Sequence, residues 1–312
     1  MELRHLQALV GIADTGSFSA AAEAIGTVQS NVSAHVARLE RELDVVLVDR
    51  ASGRLTQEGA VVVARARRML GELEAMVADV VAMRHEIRGT VRIGMIGTTG
   101  RWLVPLLFAE VRRQHPGIQL DVAEGTSTTL EPQLVSGQLD AAVVTLPVPG
   151  EDLSATALFE EDLVLVVPSD DPLAARYGPA SGGGVLPLAE LSSLELVLPS
   201  RGTALRQQID DAVGRAGVTL RAAMELDGLR TIASLTFDGH GPAILPSTAV
   251  SGRLRDLFSL LALEDFPRRH VGVAQRRWGM PSAPTRTVVD LLRQVIRETD
   301  PMPYGLHQPS AA

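Results

Sequence analysis

The sequence predicts an α+β protein of several domains: a small helical unit first, then one long helix, then a larger region of alternating strands and helices. Three observations point there. The chain has 312 residues, more than one hydrophobic core usually serves. Up to about residue 88, apolar residues recur at spacings of three and four, the period of helices. From Val91 onward, short apolar runs alternate with helical patterns.

Composition sets limits on function. Hydrophobic residues make up 46% and charged residues 21%, as in a folded chain and unlike a disordered one. Aromatics are only 3%, so aliphatic side chains and alanine build the cores. Cysteine is absent, which excludes disulfides, thiol catalysis and cysteine-ligated zinc. No apolar run approaches the roughly 18 residues needed to cross a bilayer. The start Met1-Glu2-Leu3-Arg4-His5 lacks the plan of a signal peptide, so a cytoplasmic location is expected. Net charge is -8, and the first 58 residues hold five arginines against eight carboxylates, a net of -3. Any contact with nucleic acid therefore rests on where the arginines lie, not on their number.

Leu3, Leu6, Leu9, Val10 and Ala13 form one stripe of a first helix, ended by Asp14-Thr15-Gly16. Ser17 suits the cap of a second helix that packs through Ala20, Ala21, Ala22 and Ala24. Gly26-Thr27 is a tight turn, and a third helix over 28–43 faces Val32, Val36, Leu39 and Leu43 inward. Residues 49–56 contain Ser-Gly and read as a turn between two extended arms. Residues 1–58 thus read as a winged helix-turn-helix, whose recognition helix presents its start to the DNA major groove. Here that start is Gln29-Ser30-Asn31-Val32-Ser33-Ala34-His35, rich in groups that bond base edges. Ser17 and Thr27 are placed to reach phosphates. Arg50 and Arg54 flank the wing, over the backbone or the minor groove. A polar helix start also suits a capped, solvated turn, so these residues alone leave both readings open.

A long helix over 57–88 follows. Val62, Ala66, Met69, Leu73, Met76, Val80, Met83 and Ile87 alternate by four and three without a slip. Such a seam calls for a second helix, normally from another subunit. A helix packed on its own domain is the alternative, but no neighbouring residues remain to cover so long a stripe. The linker is expected over 59–89, with Gly89 at its end.

Beyond it, strands are expected at 91–95, 118–124, 141–144, 163–167, 194–198, 221–226, 242–245 and 271–275. Helices are expected at 102–114, 130–137, 203–216, 229–237 and 284–299. The alternation implies parallel sheets covered on both faces. Ser181-Gly182-Gly183-Gly184 reads as a surface loop, and residues 301–312 as a flexible tail.

Gly16-Ser17-Phe18-Ser19-Ala20-Ala21-Ala22-Glu23, Gln29 to Ser33, Leu39-Glu40, Asp49-Arg50 and Leu55-Thr56-Gln57-Glu58-Gly59 resemble the LysR-type transcriptional regulators. Further on, Gly137-Gln138-Leu139-Asp140-Ala141-Ala142 and Gly239-His240-Gly241-Pro242-Ala243-Ile244-Leu245-Pro246 look like the same family's signatures. Their order and spacing extend the likeness over nearly the whole chain. The resemblance implies a DNA-binding regulator that pairs through its linker helices and assembles as a dimer of dimers, a homotetramer. Its partners are double-stranded operator DNA, a small-molecule effector and RNA polymerase, with no cofactor and no metal. Gln29, Ser30 and Ser33 become the base-contact candidates. This chain departs from the pattern at Ala34, where the family often has a basic residue that His35 could partly replace. Val48 stands where phenylalanine is common, and the wing is about two residues short.

The resemblance also implies that 90–300 is a two-lobed α/β domain like the periplasmic binding proteins. Lobe one would use 90–162 and 267–300, and lobe two 163–266. A ligand would lie between the lobes, near strand ends. Four loops are expected there: Gly97-Thr98-Thr99-Gly100-Arg101, Gly125-Thr126-Ser127-Thr128, Thr145-Leu146-Pro147 and Ser200-Arg201-Gly202-Thr203. Asp227 and Arg230 are additional lining candidates. Two arginines beside helix starts suit an organic anion. Threonines and serines at such positions may equally serve only as helix caps. An enzyme is the rival reading, but the chain lacks G-x-x-x-x-G-K-S/T, H-E-x-x-H and G-x-S-x-G. Glu160-Glu161-Asp162 either lines the hinge between the lobes or, as the better reading, forms a solvated charge run. A nucleoid-type DNA binder with a ligand-silent C-terminal domain is the second rival.

Overall fold

The computed structural model describes residues 1–83, 87–178, 184–251 and 254–309. The first part of the glycine-rich loop, 181–183, and the last three residues of the tail lie outside them.

Three helices, α1 (Leu3–Thr15), α2 (Phe18–Ala24) and α3 (Gln29–Leu43), form the N-terminal unit. Leu6, Leu9, Ile12, Val32, Val36 and Leu39 fill its core. Ser17 caps α2 by accepting from the Ala20 N–H at 3.1 Å. The wing closes by a Val48–Leu55 bridge. Leu47 and Val48 are buried beneath it, so valine at 48 still fills the space under the wing.

The linker α4 spans Gln57–Ala82. Its start passes so close to the Leu47 carbonyl that a Cβ at Gly59 would lie 2.0 Å from that oxygen. The helix ends six residues before residue 88, and the expected stripe divides three ways. Ala66 is buried in the core of the N-terminal unit, with Val62 packed against it. Ile87 lies beyond the helix and packs on the core of the next domain. Ala66 and Ile87 are thus corrected out of the intersubunit seam. Met69, Met76, Val80 and Met83 are exposed, and Leu73 is half-buried.

The rest of the chain has two cores. The first sheet has the order β12-β4-β11-β3-β1-β2, from β1 (Gly89–Ile96), β2 (Ile118–Gly125), β3 (Ala141–Thr145), β4 (Leu153–Glu161), β11 (Arg269–Arg276) and β12 (Leu306–His307). Helices α5 (Gly97–Gln114), α6 (Ser127–Ser136) and α10 (Ala283–Glu298) belong to this lobe. The second lobe holds β5 (Leu163–Pro168), α7 (Pro172–Tyr177), β6 (Val185–Leu186), β7 (Glu195–Pro199) and α8 (Ala204–Arg215). It continues with β8 (Arg221–Leu226), α9 (Leu229–Phe237), β9 (Ala243–Pro246) and β10 (Phe258–Leu263). Its strands form a four-stranded sheet, β6-β10-β5-β9, and a parallel pair, β7-β8. The chain crosses between lobes after β4 and before β11.

Three expectations change here. The sheets are mixed, not parallel, because β11 pairs antiparallel with β3 and β4, and β10 and β9 pair antiparallel with β5. Strands β4 and β10 fall where no strand was expected. The tail is ordered as far as residue 309: Leu306 is buried and pairs with Glu161, and the Asp162 N–H donates to the Gly305 carbonyl at 2.8 Å. An apolar leucine and a free strand edge give that segment a place to dock.

Candidate DNA interface and effector cleft

On α3, successive side chains turn by about 100°, so the face opposite Val32, Val36 and Leu39 carries Ser30, Ala34 and Arg41. Gln29 and Ser30 are exposed at its start. Ser33 is half-buried and accepts from the Arg50 guanidinium at 3.0 Å. Arg50 also donates to Glu40 at 3.1 Å and lies 5.6 Å over the Phe18 ring. The wing arginine thus folds onto the recognition helix. Arg54 is exposed, with no ion-pair or hydrogen-bond partner for its guanidinium among the described residues. Asp49 shapes the wing: its carboxylate accepts from Ser52 and the Ala51 N–H, which holds its pKa down.

Two DNA-contact candidates take other roles in the free protein. Ser17 serves as the α2 cap, and Thr27 accepts from the Asn31 amide at 2.9 Å. His35 is a correction. It sits on the flank of α3 beside α1, its ring centroid 5.3 Å from that of buried His5, and so does not share the groove-facing surface of Ser30. Burial lowers the pKa of His5.

Between the lobes, the expected loops are largely helix starts. The first turn of α5 begins at Gly97, and Thr98 and Thr99 within it are buried. Both hydroxyls accept from Arg269, Thr98 at 3.1 Å and Thr99 at 3.5 Å. Arg269 also pairs with Glu161, and Glu161 accepts from the backbone N–H (2.9 Å) and hydroxyl (2.5 Å) of Thr248 in lobe two. Arg269 and Glu161 are 2% and 0% exposed. They form a buried ionic hinge on the two strands that cross between lobes. Glu160 is buried too, so the expected solvated charge run is corrected. The hinge claims the two threonine hydroxyls, so they do not face an open cleft.

Capping accounts for several other candidates. Thr203 accepts from the Arg206 N–H at 3.3 Å and caps α8. Thr126 lies at the cap of α6, 2.8 Å from the Thr128 hydroxyl. Ser127 accepts from the Thr145 N–H at 3.0 Å, tying α6 to the end of β3. Arg201 is 80% exposed and 3.6 Å from Glu225. Asp227 is exposed.

Two contacts bridge the lobes at the mouth. Arg101 donates to the Ala249 carbonyl at 3.0 Å. Arg230, at the start of α9, pairs with Glu124 at the end of β2. Glu124 also stands over the start of α5: a Cβ on Gly97 would lie 2.8 Å from its Oε1. No side chain caps α5, so the chain's own carboxylate sits where that helix presents free N–H groups and a positive dipole end. Sequence reasoning missed Glu124, Thr248 and Arg269, and held the hinge role of Glu161 only as the second reading. For these three, only the alternation of apolar residues in β2, which brings Glu124 to the end of that strand, carries a signal.

Family models match both parts of the chain. Residues 3–60 match the bacterial regulatory helix-turn-helix protein of the lysR family, and residues 84–297 match the LysR substrate binding domain. The chain belongs to the LysR family. It is a DNA-binding transcription regulator with an effector-binding domain, not an enzyme. No helix among the described residues is long and apolar enough to cross a membrane.

A Mycobacterium leprae protein described as a probable hydrogen peroxide-inducible genes activator is 30% identical to this LysR-family chain over 298 residues, 93% of each. The DNA-binding transcriptional dual regulator OxyR of Escherichia coli K12 is 29% identical over 301 residues, 95% of each. Among solved structures, a cysteine variant of full-length OxyR from Pseudomonas aeruginosa is similar with a TM-score of 0.78 at 26% identity, covering 100% of this chain and 99% of that one. The fold is shared with CbnR complexed with its target DNA, with a TM-score of 0.66 at 22% identity over 95% and 99% of the two chains.

Proposed function

We propose that this regulator senses a small organic anion between its two lobes. The observation that carries the reading is the Glu124 carboxylate at the start of α5, clasped by Arg230 from the other lobe. An effector carboxylate that displaced Glu124 would inherit the helix N–H groups and the arginine. Lobe closure would then depend on the effector, because a ligand shifts an equilibrium only through its different affinity for the two states. Arg101, Arg201, Thr128 and Asp227 lie on loops around that mouth.

Gln29, Ser30 and Ser33 read bases, with Arg50 and Arg54 on the backbone. The stripe of exposed Met69, Met76, Val80 and Met83 with half-buried Leu73 pairs with the same stripe of a second copy, and pairs of such dimers occupy the operator. Regulation then passes to RNA polymerase. Relatives are described as peroxide-inducible activators. This chain has no cysteine, so neither a sulfenic acid nor a disulfide can carry such a signal here.

The test is a thermal-shift screen of the purified chain against small carboxylates, with hydrogen peroxide in a separate arm. A carboxylate should raise the melting temperature of the wild type and lose that effect in Arg230→Ala. An equal response in both proteins, or a response to peroxide alone, overturns the reading.

A further inference from the structure

A cavity of about 910 Å³ lies between α4 and lobe one, a volume typical of small-molecule sites, which favour domain junctions. Small residues open its centre: Gly71, Ala75 and Ala78 line it between larger side chains of α4, and a Cβ built on Gly71 meets nothing within 4 Å. At 3.6 residues per turn these residues lie about half a turn from Met69, Met76, Val80 and Met83. A second copy seated on the methionine stripe therefore meets the cavity only at its Leu73 edge.

The walls offer donors that lack partners. Gln275 lines the space, and its Nε2 is buried with no partner. Arg68 lines it and makes no hydrogen bond or ion pair among the described residues. Arg276 is held through one nitrogen by the carbonyls of Leu134 (3.0 Å) and Leu139 (2.7 Å), which fixes its guanidinium at the wall. Of the carboxylates present, Asp140 accepts from the Arg92 N–H at 2.8 Å, Glu74 from the Arg92 guanidinium at 3.4 Å and Asp14 pairs with Arg67, while Glu72, without a partner among the described residues, stands at the Gly279 end, away from Arg92. Trp278 and Met280 add apolar surface and are 74% and 68% exposed.

We propose that this junction is a second binding site, for a small organic anion with an apolar or aromatic body. Arg68 and Gln275 meet its oxygens, and Trp278 covers its apolar part. Its position couples it to DNA binding. At one end of the span Arg67 pairs with Asp14 of the N-terminal unit and faces the Gln138 amide, whose oxygen, once the amide is turned over, accepts from it at 3.1 and 3.2 Å. At the other end Asp79 accepts from the Ala283 N–H at 2.7 Å. Between these clamps α4 bridges the cavity, so filling it changes how the helix carries the DNA-binding unit.

The probe is 8-anilinonaphthalene-1-sulfonate, an anion with an aromatic body, titrated into the full chain. The chain has two tryptophans, so Trp102→Phe leaves Trp278 as the sole reporter. Saturable binding should quench Trp278 and weaken roughly tenfold in both Gly71→Leu and Arg68→Gln, a loss near 1.4 kcal/mol. Arg230→Ala should bind as the wild type does. Wild-type binding in Gly71→Leu and Arg68→Gln, unquenched Trp278 at saturation, or loss of binding in Arg230→Ala overturns the proposal. That last result places the probe between the lobes.

Discussion

The Arg50 guanidinium donates to the Ser33 hydroxyl at 3.0 Å, which ties the wing to the start of the recognition helix. Arg50 is also paired with Glu40 in the free protein. Its charge is therefore preoriented beside the groove-facing surface, not waving at the tip of the wing. Ser33→Glu puts a carboxylate beside both Glu40 and the incoming DNA. Operator binding in gel shifts should be lost while light scattering still reports the wild-type oligomer. Unchanged affinity would count against the recognition-helix assignment.

The role proposed for Arg54 is on the DNA backbone, where a contact carries no sequence preference. Arg54→Ala should weaken binding to specific and random duplexes alike and lower the slope of log affinity against log salt by about one. Binding measured at several salt concentrations checks this. A change in sequence preference with no change in slope would contradict it.

Met76 lies midway along the exposed stripe of α4, so Met76→Asp places a charge in the proposed seam. Sizing by light scattering should show the assembly falling apart at concentrations where the wild type stays associated. The thermal unfolding of a single chain should move little, because Met76 is 57% exposed there.

The Arg269–Glu161 pair should show the asymmetry of a buried ion pair. Removing one partner, as in Arg269→Met, strands a charge and should destabilise the fold by about 3–5 kcal/mol. Removing both, as in Arg269→Met with Glu161→Gln, should recover much of that loss. Denaturant titrations of the three proteins test it, and a double variant that loses more than Arg269→Met alone would show that the two groups act separately.

Burial lowers the pKa of His5 from 6.5. Above pH 6.5 the ring is neutral in both folded and unfolded chains, so stability is fully present. As pH falls below 6.5 the unfolded chain takes up the proton first, and stability declines toward the lowered folded value. The wild type should therefore lose more melting temperature between pH 7.5 and 5.5 than His5→Phe does (on the order of one group's titration). Parallel losses would assign the decline to other groups.

Local pattern made much of the fold legible. The helices α1 to α3 and the wing follow from apolar spacing, Ser17 and Gly16, because their contacts are close in sequence. What stayed hidden depends on distant partners. Glu160 and Glu161 look like solvated charges until Arg269 is placed beside Glu161, 108 residues away. That pair in turn removes Thr98 and Thr99 from the open cleft. Strand β12 was invisible for the same reason: Leu306 has no local pattern and is buried only against β4. The seam was overdrawn because heptad spacing does not say which neighbour covers each position. Ala66 turned out to face its own domain and Ile87 to lie past the helix end.

Selection of double-stranded DNA from a random pool by the full chain tests the central claim most directly. Enriched sequences should contain two half-sites related by twofold symmetry, spaced by whole helical turns as paired recognition helices require. Ser33→Glu should select nothing. A wild-type pool without enrichment, or one equally enriched by Ser33→Glu, would contradict the account.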